Sequence, residues 1–444
     1  MPASRRGAGA IPIRQRHRVD DIVTRSSPDP RALEKRSASQ AAATVSPGSA
    51  SRDTEMSLST GHGLILRRRC PLCRSEGEVL AHFPRSVTSA STLLPRPSTL
   101  LICPRCDHLF TKVELDLPSY YAEDYDAALT ADGFDELVAA SDGTTSFRTD
   151  ADYEMFRRLT GEAVRPGARV FEYGCGRGRI LSRLKADGVR NLYAYDVAER
   201  YRSTLRSIVE EERIALGPRP EWRDFDVACS FFALEHDEEP SEALDYLASI
   251  LRPAGLLYVA VPDYSTNLGD LACADHVNHF TTSTLSSAIE AAGFSVLAVD
   301  ATTAVGTVAI CAERVGHGGA RGRVRRTVGG DGRGRVAELL SHLRRLEATV
   351  SRLGRDPQLY LYGAGFYATL ASATLVSAGI TPRGIFDANP RKHGQLRLGH
   401  TVAPLESADE AVRRDATLLV CVNPALAENV AARLAGQFAT VLVA

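Results

Sequence analysis

Three groups of residues in this chain have the types and spacing that chemistry needs. Cys70 and Cys73 (CPLC) and Cys103 and Cys106 (CPRC) form two C-x2-C pairs. Four thiolates suit a tetrahedral zinc ion, and a four-cysteine site has no open position, so the expected metal is structural. A redox role for one pair is the alternative, but nothing nearby has the βαβ pattern of a thioredoxin-like motif. His108 follows the second pair; the spacing does not require it as a ligand, which predicts a surface or packing residue. The second group is polar. Asp275, His276 and His279 fall within ACADHVNHFT, and His236 closes ALEH at the end of an apolar strand. Such side chains support acid–base chemistry, with loop hydrogen bonding or a metal site as the alternatives. The third group is FEYGCGRGR. Glu172 ends a buried strand, and Gly174, Gly176 and Gly178 permit a tight turn and close approach to a ligand. Asp196 closes the next apolar strand, YAYD, where a carboxylate can accept both hydroxyls of an adenosine ribose.

Glu172 bears on which adenosine cofactor is expected. A pyrophosphate wants a helix N-terminus without a carboxylate beside it. S-adenosylmethionine (SAM) carries no phosphate, and its ammonium is attracted by an acid there. Here the sequence resembles class I SAM-dependent methyltransferases, whose first motif reads E/D-x-G-x-G-x-G. A structural glycine turn in another α/β protein is the plain alternative.

The elements around these groups follow from periodicity. Residues 1–60 are rich in Ser, Ala, Arg and Pro without apolar period, which predicts a disordered extension. A start at Met56 or a transit peptide would each account for it, although Asp20, Asp21, Asp29 and Glu34 are unlike a transit peptide. A zinc-binding module is expected at 67–117. A methyltransferase-like domain is expected at 118–314, opening with LPSYYAEDYD, where Tyr120, Tyr121 and Tyr125 have near-helical spacing. They are read either as a packing face or as a source of one hydroxyl for the site. Ile180, Leu181 and Leu184 mark a helix after the glycine loop. FDVACSFFALEH, a helix over Leu244–Leu251, LLYVAVP and a final antiparallel pair continue the domain. A Gly/Arg linker follows at 315–335; it lacks aromatics, so a solvated connector is expected rather than an RNA contact. Leu339, Leu340, Leu343 and Leu346 then share a helical face. From 336 to 444 a second Rossmann-like half is expected, with Gly363-Ala364-Gly365 after its first strand and Asp387 after its second. The fold class is therefore α/β: a Rossmann-like methyltransferase sheet between a zinc module and a C-terminal α/β domain.

The chain has 444 residues and a net charge of -1, which argues against a generic nucleic-acid binder. No apolar run approaches the roughly twenty residues of a membrane span. Paired cysteines without a secretory signal predict a reducing, cytoplasmic setting.

The order of these parts resembles the sugar C-methyltransferases that act on nucleotide-bound keto-deoxysugars. The resemblance runs from about Arg67 to the C-terminus. It implies structural zinc on Cys70, Cys73, Cys103 and Cys106, and it matches LPSYYAEDYD and His236. A tyrosine-x-acid-His motif aligns with Cys273-Ala274-Asp275-His276, followed by Phe280-Thr281. YGA and D-x-N-P-x-K-x-G align with Tyr362-Gly363-Ala364 and Asp387 to Gly394. Cys273 stands where the family has tyrosine, Asp275 where it has glutamate, and Tyr367 where it has lysine. The implied chemistry is removal of a proton α to a carbonyl. His276 is the expected base, oriented by Asp275, with His236 as acid or oxyanion partner and Tyr125 donating to the substrate. Gly363, Gly365, Asp387 and Lys392 would hold the nucleotide. O- or N-methylation, a non-catalytic scaffold and an oxidoreductase using Tyr362 to Gly365 are the other readings.

Overall fold

The computed structural model describes residues 69–125, 137–139, 145–315, 324, 331–354 and 358–444. The expected 1–60 extension and most of the expected Gly/Arg linker lie outside the described residues.

The chain begins with the two cysteine knuckles and a small antiparallel sheet. Its strands are β1 (Glu78–Phe83), β4 (Ser98–Ile102) and β5 (Leu109–Val113), and β2 (Ser86–Val87) pairs with β3 (Leu93–Leu94). The knuckles share one backbone design. Arg74 N donates to Cys70 O and Asp107 N to Cys103 O, each at 2.9 Å, while Cys70 N donates to Ser75 O and Cys103 N to His108 O. Both turns close through a residue at positive φ, Arg74 (63°) and Asp107 (59°). His108 is fully buried, packed on Phe280 with Nε2 at 3.2 Å from Asn278 Oδ1; it is a packing residue and not a surface one. The knuckle turn folds it inward, under the sheet.

The tyrosine segment forms a wide turn, Tyr120–Asp124, in which Tyr125 N reaches Tyr120 O at 2.6 Å. This i→i+5 spacing gathers the rings of Tyr120, Tyr121 and Tyr125 into one edge-to-face cluster, which an ordinary helix would spread apart. A short pair, β6 (Leu137–Ala139) and β7 (Thr145–Phe147), precedes the helix Arg148–Thr160.

The central sheet comprises β8 (Arg169–Tyr173), β9 (Asn191–Asp196), β10 (Ile214–Leu216), β11 (Phe225–Phe231), β12 (Leu251–Pro262), β14 (Phe294–Asp300) and β15 (Thr307–Arg314), with β13 (Asn278–His279) lying elsewhere. Its order is β10-β9-β8-β11-β12-β15-β14; the first five are parallel, and β15 runs antiparallel to both its neighbours, β12 and β14. The strand order reverses between β8 and β11, which opens the ligand crevice at their C-terminal ends. After β8 the glycine loop leads into helix Arg179–Ala186, which buries Ile180, Leu181 and Leu184 as the spacing predicts. Pro253 and Gly255 fall in the irregular start of β12, with Ala254 at φ 58°.

β13 does not join this sheet. It leaves the α/β domain and pairs with β5, completing the four-stranded sheet of the cysteine module. Apolar packing follows the same path. One core runs from Leu101 and Phe110 to Phe280 and Leu285, and another from Leu100 and Leu109 to Leu268, Val336 and Leu370.

The helix Gly332–Ser351 starts inside the expected linker. Asp331 caps it by accepting from Gly334 N, and Gly332 seats closely against Leu109, Ile102 and Tyr264. Its buried face is Val336, Leu339, His342, Leu346 and Val350. The C-terminal sheet has β16 (Leu359–Tyr362), β17 (Gly384–Phe386), β18 (Leu396–Arg397), β19 (His400–Ala403), β20 (Thr417–Val420) and β21 (Thr440–Val443), in the order β18-β19-β17-β16-β20-β21. Its order reverses between β16 and β20, giving a second crevice.

Candidate active site

The four cysteine sulfurs lie within 4.8 Å of one another, with Cys70–Cys106 at 3.6 Å and Cys73–Cys103 at 3.3 Å. A zinc tetrahedron with bonds of about 2.3 Å has edges of roughly 3.8 Å. The four thiols are free of disulfides, three are buried, and the donor set fits a structural zinc ion.

In the glycine loop, the three glycines have different reasons to be there. Gly174 has φ 71°, and a Cβ on it would sit 2.4 Å from Ala233 Cβ. Gly178 (φ 72°) is crowded by Leu205. Gly176 (φ 50°) faces open space, as a close-approaching ligand requires. Gly174→Ala is therefore expected to cost about 2 kcal/mol through backbone strain and overpacking, read as a shift in the urea midpoint. Asp196 Oδ2 accepts from Gly176 N at 2.8 Å and Oδ1 from Ala198 N at 3.0 Å, leaving further lone pairs on both oxygens. Glu172 is buried, and its Oε2 has no hydrogen-bond partner among the described residues. Burial pushes its pKa up to about 8. An orphaned buried carboxyl oxygen, a glycine open to ligand and a strand-end carboxylate together fit SAM, with its cationic amino acid end and ribose diol. Asp196→Ala is expected to weaken SAM binding by roughly 2 kcal/mol, about thirtyfold in Kd by calorimetry.

The glycine loop adjoins the polar cluster through its contact with Ala233, which precedes Glu235 and His236. Tyr173, at the end of β8, also donates to Asp237 at 2.8 Å. His236 Nδ1 lies 2.7 Å from Tyr121 Oη and 3.0 Å from Asp275 O, and Tyr121 Oη donates to the same carbonyl at 2.8 Å. The carbonyl can only accept, so the network puts the imidazole proton on Nδ1 and leaves Nε2 as a bare lone pair. Burial and the neighbouring charge of His276 lower the His236 pKa to about 4. The two rings stand edge to face, 4.8 Å between centroids.

His276 is oriented by Asp270, whose Oδ1 is 2.6 Å from His276 Nδ1. Asp275 does not fill that role. Its carboxylate faces the cysteine module, accepting from Ser89 N and Ser89 Oγ, each at 2.7 Å, with the Cys273 thiol at 3.2 Å. His276 itself pairs with Asp270 rather than with Asp275. Burial disfavours the imidazolium, but the hydrogen bond and charge of Asp270 outweigh this and raise its pKa to about 9. His276 is thus a cation at neutral pH, suited to stabilising an oxyanion, and His236 holds the free base. Asp270 Oδ2 also binds His279 Nδ1 at 2.8 Å, and His279 Nε2 meets Thr111 Oγ1 at 2.8 Å, so His279 is a buried tie to β5.

Tyr121, rather than Tyr125, shares a hydrogen bond with His236, while the Tyr125 ring packs with its centroid 5.9 Å from that of the imidazole. The Tyr125 hydroxyl instead lies 3.3 Å from Ser89 Oγ. Ser89, Tyr121 and Asp270 thus join this cluster although the sequence reading did not assign them. The Y-Y spacing was the signal for Tyr121; for Ser89 and Asp270 there was none.

In the C-terminal domain, Gly363, Gly365, Asp387 and Lys392 come together at the tip of β16. Asp387 Oδ2 accepts from Ala364 N at 2.6 Å and lies 3.5 Å from Lys392 Nζ. A Cβ on Gly363 would sit 2.5 Å from Cys421 O, and one on Gly365 3.5 Å from Lys392 Nζ. Tyr367 Oη accepts from Gly269 N at 2.8 Å and donates to Asn267 at 3.1 Å. It thereby anchors the turn that carries Asp270.

Comparison with known proteins bears on residues 147–299, which match the family model described as a methyltransferase domain. A tRNA U34 carboxymethyltransferase of Idiomarina loihiensis is 30% identical over 102 residues, covering 20% of this chain and 32% of that protein. A ubiquinone biosynthesis O-methyltransferase of a Caulobacter species is 31% identical over 103 residues, covering 21% of this chain and 40% of that protein. The chain thus spans about a third of the length of these relatives. A solved SAM-dependent methyltransferase from Mesorhizobium loti aligns at 17% identity and a TM-score of 0.32, over 37% of this chain and all of that one. The glycine loop, Asp196 and His236 all fall inside the span 147–299 that matches the methyltransferase-domain model.

Proposed function

We propose that the protein is a SAM-dependent methyltransferase that methylates the carbon α to the ketone of a nucleotide-linked deoxysugar, through an enolate. One observation carries the reading: a bare imidazole nitrogen on His236 stands beside the imidazolium of His276, next to the glycine loop. Glu172, Asp196 and the open face of Gly176 would hold the cofactor. When bound, SAM supplies a methyl group on a cationic sulfur. A carbon acceptor must first lose a proton, and His236 Nε2 is placed to take it. The His276 cation, held by Asp270, stabilises the oxygen that gains charge. Tyr121 fixes the His236 ring. Gly363, Gly365, Asp387 and Lys392 line the crevice proposed for the nucleotide, and the zinc thiolates suit a reducing, cytoplasmic setting.

O-methylation is the second reading, supported by the O-methyltransferase of the Caulobacter species that this chain resembles; His236 would then deprotonate a hydroxyl. Incubation with 13C-methyl SAM and a panel of keto-sugar nucleotides separates them. A methyl carbon at aliphatic shift bonded to carbon is the expected product, and a methoxy signal would replace the first reading with the second.

A further inference from the structure

Glu235 is the residue before His236, and the mechanism above leaves it unused. It is 1% exposed, and neither of its carboxyl oxygens has a hydrogen-bond partner among the described residues. Its backbone is fixed, since Asn278 N donates to Glu235 O at 3.0 Å. A carboxyl oxygen of Glu235 and ring nitrogens of His236 and His276 all lie within 4.8 Å of one another. A buried polar group is ordinarily satisfied, so an orphan carboxyl in a catalytic cluster points to a missing partner.

We propose that Glu235 is a catalytic acid, a neutral carboxylic acid whose proton passes to the acceptor's carbonyl oxygen while His236 takes the proton from the neighbouring carbon. Burial raises its pKa to about 8; the charges of His276 and Arg148 oppose this and that of Asp270 adds to it. The step balances. The C–H electron pair becomes the enol π bond, the carbonyl π pair takes the proton of Glu235, and the C–H proton resides on His236 Nε2. When the carbonyl re-forms on methylation, the enol proton returns to Glu235, and the proton on His236 leaves to solvent. The proposal rests on the function proposed above and adds the group that prevents a full negative charge on oxygen. The competing occupant of the same three side chains is a divalent cation.

The test compares the full-length protein with Glu235→Gln. Calorimetry is expected to give unchanged SAM affinity. Methyl transfer to the keto-sugar nucleotide is expected to fall about a hundredfold or more, and the basic limb of kcat/KM is expected to move from near pH 8 to near pH 9, where His276 loses its charge, in what activity remains. Infrared difference spectra below neutral pH are expected to show a protonated-carboxyl band that Glu235→Gln lacks. Full activity in Glu235→Gln overturns the acid role. So does a second equivalent of divalent metal, beyond zinc, that the variant loses. If wild type methylates no keto acceptor, the function reading fails, and the infrared band still decides the state of Glu235: its absence overturns the proposal.

Discussion

His236→Asn is expected to lower methyl transfer by roughly 10²- to 10⁴-fold while leaving SAM affinity unchanged. Asparagine can keep a donor toward Asp275 O and Tyr121, so the loop stays tied, but it offers no basic nitrogen where Nε2 stands. The wild-type pH profile follows from the same geometry. His236 has its pKa lowered to about 4, so it is the free base above that value, and kcat/KM falls as pH drops through it. His276 has its pKa raised to about 9, so its charge is present below that value and is lost as pH rises through it. The expected plateau therefore spans neutrality. A rate still rising steeply through pH 6 to 7, the range of an unperturbed imidazole, would place the base elsewhere.

The second large effect is expected from the metal site. Cys103→Ser, or zinc removal by a chelator, is expected to abolish activity although none of the four knuckle cysteines belongs to the acid–base cluster. Structural zinc contributes about 10–16 kcal/mol in small zinc domains, as much as the whole stability of a typical domain. Here the cysteine module holds the loop of Asp275, His276 and His279 directly. β13 is the fourth strand of its sheet, Asp275 is tied to Ser89, His279 to Thr111, and Ala274 N donates to Val87 O at 2.8 Å. Hydrogen exchange after zinc removal is expected to accelerate over residues 273–279 and 109–113 while β8 and β11 stay protected. Uniform loss of protection would mean that zinc supports the whole fold, and no change would detach the loop from the module.

Much of this architecture was legible because its signals are local. The glycine loop with Glu172 and Asp196, the cysteine knuckles and the strand-ending carboxylates each occupy one short window in which residue type and backbone demand coincide. The partners of the histidines were not. Asp275 adjoins His276 in sequence but turns to Ser89, 186 positions away. Asp270, six positions before His276, takes the place assigned to it. Period and spacing give no direction to side chains in an irregular loop, and this one is shaped by a strand it lends to another sheet. The tyrosines show the same limit. Their spacing suggested an ordinary helix, but the i→i+5 turn sends Tyr121 to His236 and leaves Tyr125 at Ser89.

The central claim is that a neutral His236 beside a cationic His276 removes a proton from an acceptor carbon within reach of the methyl donor. The direct measurement is deuterium wash-in at the α-carbon of a keto-sugar nucleotide in D2O without SAM, comparing wild type with His236→Asn. The account predicts exchange by the wild-type protein and none above background by the variant. A keto-sugar that is methylated on carbon yet exchanges equally well in both would contradict it.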